Sequence, residues 1–73
     1  MPLTRQQVIA DLVDVLFADP GELTDDTELV DVGLDSLRLA TLIDRWRTAG
    51  ARISFADLAE KPVLGAWFEK LGV

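Results

Sequence analysis

Apolar residues recur at intervals of three and four along most of the chain, and this spacing is typical of packed helices. The clearest case is the segment 36–48, where one apolar stripe has the spacing i, i+3, i+4, i+7 and consists of Leu39, Leu42, Ile43 and Trp46. The stripe predicts a helix that buries these side chains. Gly50 should end this helix, and Arg45 and Arg47 lie near its negative end, where cations are favoured.

A first helix is predicted over 5–17. Thr4 and Gln7 have the spacing of a capping box, in which the threonine accepts a hydrogen bond from a first-turn amide. Pro20 and Gly21 follow the helix and end it. Its apolar positions are Val8, Ile9, Leu12, Val13, Leu16 and Phe17.

Two more helices are predicted in the last third of the chain. Ser54, with Asp57 three residues later, marks the start of a short helix over about 55–60. Pro62 suits the first turn of another helix, over about 62–71. The apolar positions of that last helix are Leu64, Trp67, Phe68 and Leu71.

The segment 18–35 is a long connection that still contains five apolar residues, namely Leu23, Leu29, Val30, Val32 and Leu34. A connection with this composition is expected to lie over the core, and long packed connections are often functional. No segment shows sustained alternation of apolar and polar residues, so no strand is expected. We predict an all-α fold: a small four-helix bundle, with three main helices, a short third helix and a long first connection. Residues 1–73 are expected to form a single domain.

The composition excludes several kinds of chemistry. Cysteine and histidine are both absent, so there is no thiol nucleophile, no disulfide, no usual general base and no expected metal site. The net charge of −6 argues against nucleic acid as a partner. No apolar run is long enough to cross a membrane and no signal peptide is visible. A reducing cytoplasm suits a chain without cysteine, and we expect a cytoplasmic protein that is a monomer. Nine acids and no base lie between Arg5 and Arg38, either as a solvated face or as a surface that attracts basic partners.

Ser36 follows Asp35 at the predicted start of the second helix, and three roles are open to it. Hydrolysis is disfavoured, because a serine nucleophile needs a neighbouring base. Either Asp35 or Ser36 can cap the helix by accepting a hydrogen bond from a free amide. A third role is modification by another protein, because a helix start tolerates an attached phosphate and the modifying enzyme supplies the base.

The motif "GLDSL", Gly33 to Leu37, resembles the phosphopantetheine attachment signature of carrier proteins. The runs "VDVGLDSLRLATLIDRWR" and "ISFADLAEKPVLGAWFEKL" are similar to aryl carrier domains of nonribosomal peptide synthesis, which load aryl acids during siderophore assembly. Arg38 and the "RWR" of 45–47 favour this aryl branch over fatty-acid carriers. The resemblance implies a 4′-phosphopantetheine group attached to Ser36, next to Asp35.

The resemblance also implies a carrier that is not itself an enzyme. Its expected partners are a phosphopantetheinyl transferase, an aryl-acid adenylation enzyme and a condensation domain. The alternatives are a peptidyl or polyketide carrier of another acid, or a helical adaptor that is never modified. If the second and third helices are neighbours, a small apolar patch beside Ser36 is expected to bind partners, with Arg38 setting orientation, and consists of Leu37, Ala40, Phe55 and Ala59.

Overall fold

Four α-helices form the framework of the computed structural model, which describes residues 3–73. They are α1 (Arg5–Leu16), α2 (Ser36–Thr48), α3 (Phe55–Ala59) and α4 (Leu64–Leu71). The connection from α1 to α2 contains two short 3-10 turns, Pro20–Glu22 and Leu29–Val32. Within residues 3–73 there is no strand, only an isolated antiparallel bridge between Glu28 and Val63. The predicted all-α four-helix fold is confirmed. No helix of residues 3–73 has the length and apolar character needed to span a bilayer.

Helix α1 begins as predicted and ends one residue earlier than predicted. The hydroxyl of Thr4 accepts a hydrogen bond from the Gln7 amide at 3.1 Å, but the Gln7 side chain donates to Asp11 instead of returning to the cap. The helix ends at Leu16 because Phe17 adopts a left-handed conformation, with φ of 56°. The prediction that Phe17 continues the helix is therefore wrong, and Phe17 is 84% exposed instead of joining the buried face.

The predicted apolar stripes of α2 and α4 form the centre of the core. Leu42, Trp46 and Trp67 are fully buried, and Leu39, Ile43 and Phe68 are almost so. The two tryptophan rings meet edge to face, with centroids 5.7 Å apart and an interplanar angle of 81°. A buried indole needs an acceptor for its N–H. Trp46 donates to Asp11 at 2.8 Å, and Trp67 donates to the Leu58 carbonyl at 2.9 Å.

Helices α1 and α2 are joined by a group of polar side chains around Asp11, the one buried charged residue among residues 3–73. Asp11 accepts hydrogen bonds from Trp46 at 2.8 Å, Gln7 at 3.0 Å and Arg45 at 3.4 Å. Arg45 also pairs with Asp14 at 2.7 Å, and this hydrogen bond raises the pKa of Arg45 above its ordinary value. The contacts hold the two helices in register, and they satisfy the buried carboxylate.

The connection packs onto the start of α4, and this shortens the predicted fourth helix by two residues. The Leu29 amide donates to the Pro62 carbonyl at 2.8 Å, so Pro62 belongs to an extended segment that pairs with the connection. The prediction that Pro62 lies in the first turn of α4 is therefore wrong. The first amides of α4 need acceptors from elsewhere. The Thr27 carbonyl accepts from Leu64 at 3.1 Å.

Gly65 is explained by the same packing. Its amide donates to the Asp25 carbonyl at 2.8 Å. A β-carbon at Gly65 would lie 2.8 Å from that same carbonyl oxygen. Only glycine allows the connection to come this close. The connection lies over the core as predicted, with Leu23, Leu29 and Leu34 buried, although Val30 is 59% exposed.

Helix α3 is short and held by a complete capping box. The Ser54 hydroxyl accepts from the Asp57 amide at 3.2 Å, and the Asp57 carboxylate accepts from the Ser54 amide at 2.9 Å. The hydrogen bond from the Ser54 amide to the carboxylate is the main cause that lowers the pKa of Asp57 below its ordinary value of 3.8. The helix ends at Ala59, one residue before the predicted boundary, which is within the usual uncertainty of helix ends.

Candidate functional site

Ser36 is the first residue of α2, and the fold makes little use of its hydroxyl. Asp35 precedes it in an extended conformation and caps the helix, its Oδ1 accepting from the Arg38 amide at 2.8 Å. Of the two capping residues that the sequence allows, Asp35 is therefore the cap. Ser36 is exposed, and among residues 3–73 its hydroxyl has no hydrogen-bond partner. The hydroxyl is accessible at a fixed position and available for modification.

The turn that leads into Ser36 is fixed by Gly33 and Arg38. Gly33 has φ of +104°, a left-handed conformation that a side chain would strain. Its carbonyl accepts a hydrogen bond from Arg38 Nη1 at 2.9 Å. The same nitrogen lies 3.5 Å from Asp35 Oδ2. This ion pair is exposed and contributes no more than about 1 kcal/mol. Its main effect is to connect the turn to the helix and to offset the charge of Asp35 beside the serine.

Arg38 does not share a helix face with Ser36. Residues two apart on an α-helix point in different directions. The contacts of Arg38 with Gly33 and Asp35 place its guanidinium on the side of the preceding turn. Arg38 therefore shapes the approach to the site. Its place in partner binding, inferred from the family resemblance, stays a prediction.

A shallow groove of about 210 Å³ opens beside Ser36, and we call it the proximal groove. Asp35 and Ser36 form its polar edge. The other lining residues come from the connection, α2, α3 and the segment before α4, and they are apolar: Val30, Leu34, Leu39, Phe55, Ala59 and Pro62. Ser36 thus stands at the edge of an apolar surface.

A second groove, of about 340 Å³, lies between α2 and α3 and is lined in part by Ala40, Arg47 and Phe55. Phe55 is 45% exposed and is the one residue that lines both grooves. The structure therefore brings Ala40, Phe55 and Ala59 together around the two grooves. Leu37 lines neither of them and is 80% exposed on the outer surface of α2.

Sequence reasoning missed four residues that line the proximal groove: Val30, Leu34, Leu39 and Pro62. The sequence pattern predicts that Val30 and Leu34 cover the core, that Leu39 belongs to the buried stripe of α2 and that Pro62 lies in a helix. The sequence gives one weak signal for a role at the site, because Leu34 immediately precedes Asp35. The proximity of these residues to Phe55 and Ala59 depends on the path of the connection, which no local pattern specifies.

The acids that precede α2 divide into two sets in the structure. Asp11, Asp14, Asp19 and Asp35 make side-chain hydrogen bonds or ion pairs within the fold. The other five are exposed and belong to the connection: Glu22, Asp25, Asp26, Glu28 and Asp31. They give the surface leading to Ser36 a negative charge, which favours approach of basic partner surfaces.

A small helical bundle with an exposed serine at a helix start, preceded by a fixed turn, is the arrangement that the resemblance to carrier domains implies. The comparison with protein families agrees: the model of the phosphopantetheine attachment site family matches residues 6–71. The chain belongs to this family, whose members carry covalently attached 4′-phosphopantetheine. The site suits such a group, because it offers a free hydroxyl, a helix start that tolerates phosphate and an apolar groove alongside.

Several relatives are carrier proteins or synthetases. The acyl carrier protein ScoB of Streptomyces coeruleorubidus is 43% identical over 96% of this chain and 82% of its own length. Pyochelin synthetase PchE of Pseudomonas aeruginosa is 46% identical over 94% of this chain, and the matched part is 5% of that protein. Phenyloxazoline synthase MbtB of Mycobacterium sp. is 36% identical over 94% of this chain and 6% of its own length. The chain thus spans only a small part of the two synthetases. No solved structure matches the chain significantly.

Proposed function

We propose that this chain is a single carrier domain that holds an aryl acid as a thioester on a 4′-phosphopantetheine arm attached to the oxygen of Ser36. The observation that carries the proposal is the exposed hydroxyl of Ser36 at the first position of α2, which has no hydrogen-bond partner among residues 3–73. The family membership fixes the type of cofactor, and the "GLDSL" motif favours Ser36 as its position. The arm supplies a terminal thiol on which an acyl group is carried.

Attachment requires a second protein. The Ser36 oxygen attacks the β-phosphorus of coenzyme A, the bond to the adenosine 3′,5′-bisphosphate leaving group breaks, and the serine proton passes to a base. The chain contains no histidine. We therefore assign the base to a phosphopantetheinyl transferase. The exposed acids of the connection are suited to attract such a partner, because electrostatic attraction raises association rates. We expect the reaction in the cytoplasm, where coenzyme A is available.

Two observations favour an aryl acid as cargo. The relatives include a phenyloxazoline synthase and a pyochelin synthetase, and the first name specifies a phenyl group. Arg38 and the "RWR" of 45–47 also match the aryl carriers that the sequence resembles. We infer that an aryl-acid adenylation enzyme loads the arm and that a condensation domain accepts the acyl group, in the assembly of a siderophore-type nonribosomal peptide. ScoB, an acyl carrier protein matched over most of its length, supports a carrier of another acid as the second candidate.

Partner binding is assigned to the surface around the two grooves. Ala40, Phe55 and Ala59 expose apolar area near Ser36, Leu37 is 80% exposed on α2, and Arg38 follows it in the chain. A carrier must leave each partner after transfer, so the interface should bury less than about 1,200 Å². A small interface of this kind depends on a few apolar anchors.

The attachment is tested with the two serines of the chain. Wild-type protein, Ser36→Ala and Ser54→Ala are incubated with coenzyme A and a phosphopantetheinyl transferase, and intact masses are measured. Ser54 is the matched control because it lies at the start of α3, where its hydroxyl has a structural role. Wild type and Ser54→Ala should gain one phosphopantetheine, and Ser36→Ala should gain none while remaining folded. An unmodified wild type, or a modified Ser36→Ala, contradicts the assignment.

The cargo is tested by incubating the modified protein with adenylation enzymes of known preference. Aryl acids should form a thioester at least tenfold faster than amino acids or short fatty acids.

The partner surface is tested with Ala40→Glu and with Ala10→Glu as the control, since Ala10 is an exposed residue of α1 away from both grooves. Only Ala40→Glu should slow loading or condensation tenfold or more at an unchanged melting temperature. Equal rates in the two variants would place recognition elsewhere.

A further inference from the structure

We propose that the second groove binds a carboxylate and an adjacent apolar side chain of an acyl-transfer partner, with Arg47 as the residue that binds the carboxylate, an inference that rests on the proposed carrier function. The three residues of the "RWR" motif lie in three different environments. Arg45 pairs with Asp11 and Asp14 of α1, and Trp46 is buried in the core. Arg47 is exposed and lines the second groove.

The fold does not use the charge of Arg47. Among residues 3–73 its guanidinium makes no hydrogen bond and no ion pair, although the chain contains 13 acids. Asp44 lies one turn earlier and lines the same groove, but the two side chains are not within ion-pair distance. A pair of this spacing on an exposed helix face is weak in any case, because water screens it. Arg47 is therefore available to a group outside the chain.

The charges at this end of α2 favour an acidic partner group. The Ala51 amide donates to the Trp46 carbonyl at 2.9 Å, and this hydrogen bond turns the chain back beside the last turn of α2. Arg52 follows directly, is exposed and also makes no ion pair among residues 3–73. Arg47 and Arg52 together outweigh the single carboxylate of Asp44, so this region is positive in a chain whose net charge is −6. The acidic connection and this region thus attract partner surfaces of opposite sign.

The groove combines the guanidinium of Arg47 with apolar surface. Ala40 and Ile43 line it beside Phe55, which is 45% exposed. A guanidinium presents its N–H donors in a planar fork that matches the two oxygens of a carboxylate. Arginine and aromatic side chains are also among those that contribute most to binding at protein interfaces. The matching partner surface therefore presents an apolar side chain next to an aspartate or a glutamate.

The distance of Arg47 from Ser36 indicates which partners use this contact. Both residues belong to α2, and their backbones lie roughly 16 Å apart along the helix axis. A partner bound at Arg47 can therefore leave Ser36 uncovered. A phosphopantetheinyl transferase must reach the serine oxygen itself and does not need the groove. A partner that loads or accepts an acyl group at the far end of the arm can hold the carrier there.

The test measures binding of the unmodified chain, so that it does not depend on attachment. Isotope-labelled protein is titrated with an aryl-acid adenylation enzyme and, separately, with a condensation domain. Amide shifts report the surface that is bound and the dissociation constant. With at least one of the two partners, the shifts should include Arg47 and Phe55. Arg47→Glu should weaken that binding tenfold or more, and Arg47→Lys, which keeps the charge but loses the fork, should weaken it by a smaller factor.

Lys70→Glu is the matched control, because it makes the same change of charge on α4 and outside both grooves. The ion pair of Lys70 with Glu60, at 4.0 Å, is exposed and weak. This control should change the affinity less than twofold. Asp44→Asn tests the sign of the partner group: it removes a negative charge from the groove and should leave the affinity unchanged or raise it. All these variants should keep the wild-type melting temperature and be modified at Ser36 as completely as wild type.

The remaining outcomes each decide a separate point. Equal weakening by Arg47→Glu and Lys70→Glu overturns the proposal, as does the absence of shifts at Arg47 with both partners. If Asp44→Asn weakens binding, the groove binds a basic group and the proposal is wrong. Shifts of the same residues on addition of the unlabelled chain alone would assign the groove to a second copy and overturn it as well. A wild-type protein that gains no phosphopantetheine contradicts the carrier function, and the titrations still decide the groove separately.

Discussion

Replacing Gly65 by alanine has two effects of opposite sign on the stability of the fold. Alanine is a better helix former than glycine, by up to about 1 kcal/mol at an interior helix position. In this structure, however, the new β-carbon would lie 2.8 Å from the Asp25 carbonyl oxygen and 3.3 Å from the Asp25 β-carbon. The nearest atom belongs to the backbone, so the contact is relieved only if the connection moves away from α4.

The size of the destabilisation follows from the contacts that are disturbed when the connection moves away from α4. Forcing a methyl group into a close-packed contact typically costs about 1 to 3 kcal/mol. The hydrogen bond from the Gly65 amide to the Asp25 carbonyl is stretched as well, which costs up to about 1 kcal/mol. The gain in helix propensity offsets part of this loss of stability. The net result is a destabilisation of about 2 kcal/mol, which lowers the melting temperature of a domain of this size by roughly 8 to 16 °C.

Gly21→Ala is the matched control. Gly21 lies in the 3-10 turn of the same connection, and a β-carbon there would meet its nearest atom, Asp19 Oδ1, at an ordinary 3.6 Å. Its φ is not in the left-handed range. This substitution should therefore be neutral or stabilise the fold by up to about 1 kcal/mol, because it restricts the unfolded chain.

Urea denaturation and thermal melting followed by circular dichroism measure both variants. Amide spectra of Gly65→Ala should show the largest shifts at Asp25 and its neighbours. If Gly65→Ala proves as stable as wild type or more stable, the close packing of the connection on α4 is wrong. A loss of stability without shifts near Asp25 would show that the destabilisation does not come from the contact between Gly65 and the connection.

Three further predictions follow from the core, the cap and the pH dependence. Truncating Trp46 to alanine removes the centre of the core and the donor to Asp11, and thermal melting should show a loss of about 3 to 5 kcal/mol; an unchanged midpoint would contradict the packing of α2. Asp35→Ala removes the cap of α2 and should cost about 1 kcal/mol in urea denaturation, while Ser36→Ala, which leaves the cap in place, should cost less. The pKa of Asp57 is lowered in the folded state, so its contribution to stability is present above its ordinary pKa of 3.8 and is lost as the pH falls through the lower, folded value. Asp57→Asn should therefore reduce the loss of stability between pH 5 and pH 2 in acid titrations followed by circular dichroism, and an identical acid profile would show that this carboxylate makes no contribution.

Much of the fold is determined locally and is visible in the sequence. The spacing of Leu39, Leu42, Ile43 and Trp46 predicts both the extent of α2 and the face that it buries, because the helical period depends only on backbone geometry. Caps are also local: Thr4, Asp35 and Ser54 each accept a hydrogen bond from an amide three residues later in the chain. The motif "GLDSL" is also local, and its resemblance to the carrier signature predicts Ser36 as the residue that another protein modifies.

The tertiary structure decided the features that depend on residues far apart in the chain. Asp11 is buried because Trp46, 35 residues away, supplies a donor. Helix α4 begins at Leu64 because carbonyls of the distant connection accept hydrogen bonds from its first amides. It contains Gly65 because one of these carbonyls lies too close to leave room for a β-carbon. The groove beside Ser36 exists because the same connection brings Val30 and Leu34 to α3. Local periodicity reports which face of a helix is apolar, but the neighbour that covers that face is chosen by the packing of the whole chain.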